Sequence, residues 1–129
     1  MNKIIVEVSI GELLDKISIL EIKQEKIKDP EKLKFVTDEH SILKNQLKNN
    51  IKSDNKLNKL FQSLKEINTK LWVIEDDKRQ CEKEKDFGEK FIKLSRDVRF
   101  LNDDRAKIKL EINNHTGSVI KEIKEYTSY

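Results

Sequence analysis

The sequence predicts an all-α protein: an antiparallel helical bundle with a long, coiled-coil-like helical hairpin and a short N-terminal extended arm. Apolar residues return every three or four positions through most of the chain, most regularly from Leu57 to Ile112. Helix-starting residues stand before those runs and helix-ending residues after them. With 129 residues the chain has room for one domain, 1–129, large enough to bury a single core.

Each element follows from its own residues. Lys3 to Val8 is rich in β-branched side chains that alternate Ile4, Val6, Val8 with Lys3, Ile5, Glu7, the pattern of an extended strand or arm that needs a partner. Ser9-Ile10-Gly11-Glu12 then reads as a capping box, with Ser9 accepting from the Glu12 amide and the Glu12 side chain reaching back. The first helix carries Ile10, Leu13, Ile17, Leu20 and Ile27, with Gln24 in the remaining seam position. Asp29-Pro30 suits an N-cap followed by a proline that lacks the amide a helix start leaves unpaired. The second helix follows with the stripe Leu33, Val36, His40, Leu43, Leu47 and Ile51, up to a polar break at Asn49 to Asn55.

The third helix is expected from about Asp54 to about Lys85, with the seam Leu57, Leu60, Leu64, Ile67, Leu71, Ile74, Lys78 and Cys81. Asp86-Phe87-Gly88-Glu89 breaks it, with Asp86 as the next N-cap and Glu89 as its box partner. The fourth helix carries Phe87, Phe91, Leu94, Val98, Leu101, Arg105, Ile108 and Ile112 and ends at Gly117. Ser118 to Tyr129 is left as a short helix or a frayed tail. Helices of about 30 residues are about 45 Å long, more than one compact bundle of this mass requires, so a dimer built across the hairpin is the favoured assembly.

Composition narrows the function classes. The charged fraction is 40% and the net charge only +3, with both signs interleaved, so no block of one sign forms a nucleic-acid tail or membrane patch. Neither nucleic acid nor membrane is an expected partner. No apolar run approaches the roughly 20 residues of a membrane helix, and the N-terminal run is too short for a signal peptide. The single cysteine, Cys81, allows no intramolecular disulfide or thiolate metal site and suits a reducing, cytoplasmic location. No P-loop, glycine-rich phosphate turn or nucleophilic triad is present, so no catalytic residue can be named and no cofactor is expected.

The chemistry-bearing residues are polar groups in unusual places. All four arginines, Arg79, Arg96, Arg99 and Arg105, fall between positions 79 and 105 of a chain whose other basic residues are lysine. If the third and fourth helices fold back about Phe87, Glu75 faces Arg99, and Asp76 and Asp77 approach Arg96 and Asp97. One reading makes these flanking ion pairs; the other makes them a polar cleft for a small anion. Lys78 and Arg105 sit on the seam, where a charge must be paired or must snorkel. His40, on an apolar stripe with no second histidine at metal spacing, reads as a core or subunit-contact residue, and no metal site is expected. Glu75, Asp76 and Asp77 are consecutive and splay round a helix, unlike the three- or four-residue spacing of helical magnesium hydrolases. Trp72 reads as a core or interface anchor.

Val8 to Lys23, together with Leu71-Trp72, Ile74-Glu75-Asp76-Asp77, Arg79, Cys81-Glu82, Asp86-Phe87-Gly88, Arg96, Asn102-Asp103, Arg105-Ala106, Lys109, Ile112-Asn113 and Gly117-Ser118, resembles DUF6165, a family of small bacterial and phage-borne proteins of unknown function. Arg99 and Leu101 depart from its usual tyrosine and threonine. The resemblance implies no activity. Its members are sometimes encoded with, or fused to, glycosyltransferase-like and tetratricopeptide-like modules, which implies a cell-surface glycan context. The matched polar set is Asp15, Glu21, Lys23, Glu75, Asp76, Arg79, Arg96, Asn102, Asp103, Arg105, Lys109 and Asn113.

Two functions stay open. The first is a non-enzymatic helical module that self-associates and binds a protein partner or a small anion. The second is a binding protein or enzyme for a phosphorylated or carboxylated metabolite, its candidate ligand residues being Arg96, Arg105, Asp76, Asn102, Asp103, Arg79 and Glu75.

Overall fold

A computed structural model describes residues 2–129; Met1, at the head of the N-terminal apolar run, lies outside them. The described residues form four helices, α1 (Ile10–Lys26), α2 (Pro30–Asn50), α3 (Asn55–Glu84) and α4 (Glu89–Thr116), and no strand. The expected helical bundle is present. Residues 2–8 are an exposed, non-helical arm.

Capping sets the helix boundaries. The Ser9 hydroxyl accepts from the Glu12 amide at 3.0 Å, Asp29 from Lys32 at 3.4 Å and Asp54 from Leu57 at 2.7 Å, each satisfying one of the first-turn donors a helix cannot bond itself. The Ser9 box closes on one side only, because the Glu12 carboxylate is drawn away to Lys109. Asp86 is not the N-cap of α4, contrary to expectation; Gly88 is, without a side-chain bond. The end of α3 claims Asp86 first: Lys85 turns left-handed at φ 56°, and the Asp86 amide donates to the Cys81 carbonyl at 2.8 Å. The Asp86 side chain then accepts from the Gly88 amide at 3.2 Å within the turn. Gly117, left-handed at φ 69°, ends α4 as expected. Ser118 to Tyr129 forms no helix.

Helix α1 lies at the centre, packed against all three others. It runs antiparallel to α4, with Gly11 beside Asn113, Glu12 beside Lys109 and Asp15 beside Arg105. Leu14, Leu57, Leu64 and Ile112 are the buried core, with Ile10, Leu47, Ile51, Leu60, Phe61 and Ile108 partly buried around it. Besides the expected Ile17 and Leu20, α1 buries Leu14, Asp15, Ser18 and Ile22, because neighbours cover it from several sides.

The stripe expected on α2 is present, but each of its members is only half-buried. No Cα of α2 comes within 8 Å of α3 or α4, so the backbone of this helix packs closely on α1 alone and reaches α3 only through side chains such as Lys44. Glu21 of α1 stands between the two layers, bonding His40 of α2 at 3.1 Å and Lys65 of α3 at 3.4 Å. His40 is thus a tethered, partly buried histidine.

Helices α3 and α4 make the antiparallel hairpin. Lys78 is accommodated at the seam, half-buried, by placing its ammonium 5.5 Å from the centre of the Phe91 ring, a cation–π contact. Phe87 packs edge-on against Phe91 at 5.5 Å, and Cys81 is buried nearby in the sequence of the seam.

Candidate functional site

Arg105 occupies an apolar seam position because α1 supplies its counter-charge. Its Nε donates to Asp15 Oδ1 at 3.0 Å, and a terminal nitrogen grips Asp15 Oδ2, a two-pronged geometry that a planar guanidinium fits and lysine does not. Asn68 of α3 donates its Nδ2 to Asp15 Oδ1 and to Ser18 Oγ, both at 2.8 Å. Ser18 in turn donates to the Asp15 carbonyl at 2.7 Å. The hydrogen bond to Asp15 is the foremost reason the Arg105 pKa is raised, outweighing burial.

One turn along α4, the Lys109 ammonium bonds Glu12 and Glu122 at 2.7 Å each and lies 3.9 Å from Asp15. Burial is the largest single influence on Lys109 and pulls its pKa down, but the carboxylates together win and the net shift is upward. Glu122 is correspondingly lowered, first by its hydrogen bond to Lys109.

A further turn along, the start of α1 is sealed. The Ile10 amide donates to Ser118 Oγ at 3.1 Å and the Gly11 amide to Asn113 Oδ1 at 2.7 Å. These donors are consumed by the chain itself, so the α1 N-terminus offers little to an anion. Asn113 Nδ2 is the buried side-chain atom without a hydrogen-bond partner among the described residues.

Beside the network a hollow of about 390 Å³ opens between α1 and α3, closed at one side by Arg105. Glu75, Asp76 and Arg79 line it, over a wall that includes Ile19, Ile22 and Trp72. Four of the sequence-selected residues therefore meet here: Glu75, Asp76, Arg79 and Arg105. Asn102 touches the outer edge of Arg105, its Oδ1 accepting from Nη1 at 3.5 Å. With Asp103 it lines a separate hollow under the tail, where Asp103 accepts from the Tyr129 hydroxyl. Arg96 is exposed and lines neither hollow.

The facing charges expected across the hairpin do not pair. Among the described residues Glu75 makes no ion pair with Arg99, nor Asp76 or Asp77 with Arg96. Asp97 instead pairs with Lys93 on its own helix at 2.7 Å, and the Arg99 guanidinium lies 5.6 Å from the Tyr129 ring centre. The hairpin puts these residues at similar heights, but on different flanks.

The groups that close the network, Asp15, Ser18, Asn68 and Lys109, were not placed there by seam periodicity. The readable signal was Arg105 itself, since a seam arginine requires a buried carboxylate, and Asp15 follows directly on the core residue Leu14.

Electrostatically the network is closed. Asp15 cancels Arg105, leaving Arg79 in the hollow against both Glu75 and Asp76, an excess of negative charge where an anion grip would need positive. No group of three or more His, Cys, Asp or Glu among the described residues could hold a metal ion. No helix among them is long and apolar enough to cross a membrane.

No curated protein and no solved structure matches this chain. A family described as a family of unknown function, DUF6165, matches residues 4–129, nearly the whole length and including every residue of the network. On that match the chain belongs to the DUF6165 family.

Proposed function

We propose that this chain is a non-enzymatic helical binding module that self-associates, with a dimer as the favoured state. The observation that carries the reading is the fate of Arg105. The best candidate for gripping a ligand is instead clamped by a buried carboxylate, the arrangement of a structural clasp holding α1 to α4. Apolar surface supports the same reading. Ile4 and Ile5 of the arm are 91% and 83% exposed, and Phe35 and Ile42 stand outward on α2, the helix with the least packing. An alternating β-branched arm with an open backbone edge is suited to pairing with the same arm of another copy.

Size-exclusion chromatography with light scattering tests this. A dimer that becomes a monomer when residues 1–8 are removed is the expected result; a strict monomer at all concentrations overturns it. The lone buried thiol of Cys81 fits a reducing compartment, and the family resemblance suggests a bacterial or phage setting linked to cell-surface glycan assembly.

A second reading is favoured by one observation, the convergence of Glu75, Asp76, Arg79 and Arg105 on one hollow beside Trp72. It makes the protein a binding protein or enzyme for a phosphorylated or carboxylated metabolite, whose anion would have to reach Arg79 past the charge of Glu75 and Asp76. A thermal-shift screen of nucleotides, nucleotide sugars and sugar phosphates tests it, since a ligand at 100 times its Kd stabilises the fold by about 2.7 kcal/mol. No shift from any of them removes this reading.

A further inference from the structure

A different hollow, on the other side of α1, has the chemistry the polar cleft lacks. Because the backbone of α2 packs on α1 but stands off that of α3, a space of about 450 Å³ remains between the end of α2 and the start of α3. That volume is within the roughly 300–1,000 Å³ range of small-molecule sites. Leu14, Leu47, Ile51, Leu57 and Phe61 line it, and Leu14 and Leu57 belong to the buried core, so the floor is the core itself seen through a gap.

The polar members of the lining are one-sided. Lys44, Lys48 and Lys52 recur every four residues along its edge, and no carboxylate lines it. None of the three lysines has a hydrogen-bond or ion-pair partner among the described residues. Lys44 lies with its ammonium 5.7 Å from the centre of the Phe61 ring, placing positive charge against the apolar wall. The nearest carboxylate in sequence, Asp54, is occupied in capping α3 and bonding His115 at 2.9 Å. Elsewhere the chain interleaves its charges, and Arg105 and Lys109 each have acidic partners.

We infer that this hollow binds an anionic amphiphile: one apolar chain or ring lying on Leu47, Ile51 and Phe61, with a carboxylate, phosphate or sulfate head held by Lys44, Lys48 and Lys52. The assignment needs both halves. An apolar chain alone finds its floor but leaves the head unpaired, and a small anion alone meets only exposed lysines, whose attraction salt screens within about 10 Å at 0.1 M.

Calorimetric titration of the full chain with laurate, below its micellar range and at low salt, tests the site. Saturation at one laurate per chain is expected, at least tenfold tighter than dodecyltrimethylammonium, which has the same chain and the opposite charge. Butyrate, which has the head without the chain, should not saturate. The variant Lys44→Gln/Lys48→Gln/Lys52→Gln changes exposed side chains and should keep the parent's helicity and Tm. It is expected to lose at least tenfold in laurate affinity and its preference over the cation. Methyl resonances of Leu47, Ile51 and Leu57 should move on titration while those of Ile19 and Ile22 stay. Non-saturating binding, equal affinity for the two head groups, an unaffected triple variant, or shifts centred on Ile19 and Ile22 would each overturn the assignment. Saturable binding of an acidic amphipathic peptide by a chain that ignores laurate would also overturn it, making the hollow a protein-docking groove instead.

Discussion

Arg105 and Asp15 form an unequal pair across the α1–α4 interface: the aspartate side chain is 1% exposed and the arginine side chain 29%. Removing either partner therefore has a different cost. Arg105→Met leaves a sealed carboxylate with Asn68 as its remaining hydrogen-bond donor and the Lys109 ammonium 3.9 Å away, and breaking a buried pair in this sense costs about 3 kcal/mol. Asp15→Asn leaves an arginine that can turn toward water, and should cost about half as much. The double variant should be more stable than the sum of the two losses implies, since the second change removes the group the first left stranded. Urea denaturation followed by circular dichroism checks all three. An Arg105→Met chain as stable as the parent would show that the clasp does not hold α1 in place.

At Gly11 α1 lies tightly against α4. A Cβ built there would lie 2.6 Å from the Lys109 carbonyl oxygen and 3.0 Å from Asn113 Oδ1, and the first of these is backbone that cannot swing aside. Alanine normally favours a helix over glycine by about 1 kcal/mol. Here the clash should reverse the sign and Gly11→Ala should lose about 2 kcal/mol. Gly88→Ala meets only the Asp86 side chain at 3.5 Å, ordinary contact, and should lose only about 0.5 to 1 kcal/mol, the margin by which alanine is a poorer N-cap than glycine. Thermal melts of the two variants side by side make the comparison.

The tail is fixed to α4 by Glu122 on Lys109 and by Tyr129 on Asp103. The Glu122 pKa is held below its ordinary 4.5, so the folded state favours its charged form. Its contribution is present above about pH 4.5 and is lost as pH falls through the lowered value. The Lys109 pKa is held above its ordinary 10.5, so the same contact also weakens in strong alkali. Between these limits the tail should resist proteolysis around Lys121 and Lys124. As pH falls through the lowered Glu122 pKa the tail should be cleaved faster, and Glu122→Gln should show that faster cleavage already at pH 7. Equal protection of the tail in Glu122→Gln and parent would show that Glu122 does not hold it.

How much of this was legible follows from how many neighbours each helix has. Helix α2 packs its backbone closely on one neighbour, and its stripe Leu33, Val36, His40, Leu43, Leu47 is the face that packs. Helix α1 touches three, so a single stripe describes only part of its buried surface, and Asp15 and Ser18 escape a search for apolar period. The hairpin was readable because its turn chemistry and seam agree. Its facing charges were not, because register fixes height along a helix pair and not the flank. Glu75 and Asp76 are exposed on the flank that borders the hollow beside α1, while Arg99 is taken up by Tyr129 on the side of the tail. Neither arrangement has a local signal. Lys78 and Arg105 were legible as exceptions, and each resolved differently: one lies over an aromatic ring, the other is paired with a buried carboxylate.

Asn68 offers a test of whether the network fixes this arrangement of helices. Its amide is oriented by two acceptors, Asp15 Oδ1 and Ser18 Oγ, each at 2.8 Å, and the Ser18 proton is already given to the Asp15 carbonyl. Asn68→Asp keeps the shape but sets a second carboxylate where a donor stood, in contact distance of Asp15. At neutral pH this adds an uncompensated buried charge, and about 3 kcal/mol of stability should be lost. The introduced carboxyl resists ionisation beside its neighbour, so its folded pKa is raised and the deficit relative to the parent narrows as pH falls from 7 to 5. Asn68→Leu, which removes the donor and adds no charge, should lose about 1 to 2 kcal/mol with little dependence on pH over that interval. Denaturation midpoints of both variants at the two pH values separate the electrostatic from the packing role of this position. A deficit for Asn68→Asp that does not change with pH would mean that the new carboxyl has turned outward into the hollow lined by Trp72 and Arg79, and that α1 and α3 tolerate the loss of their polar link.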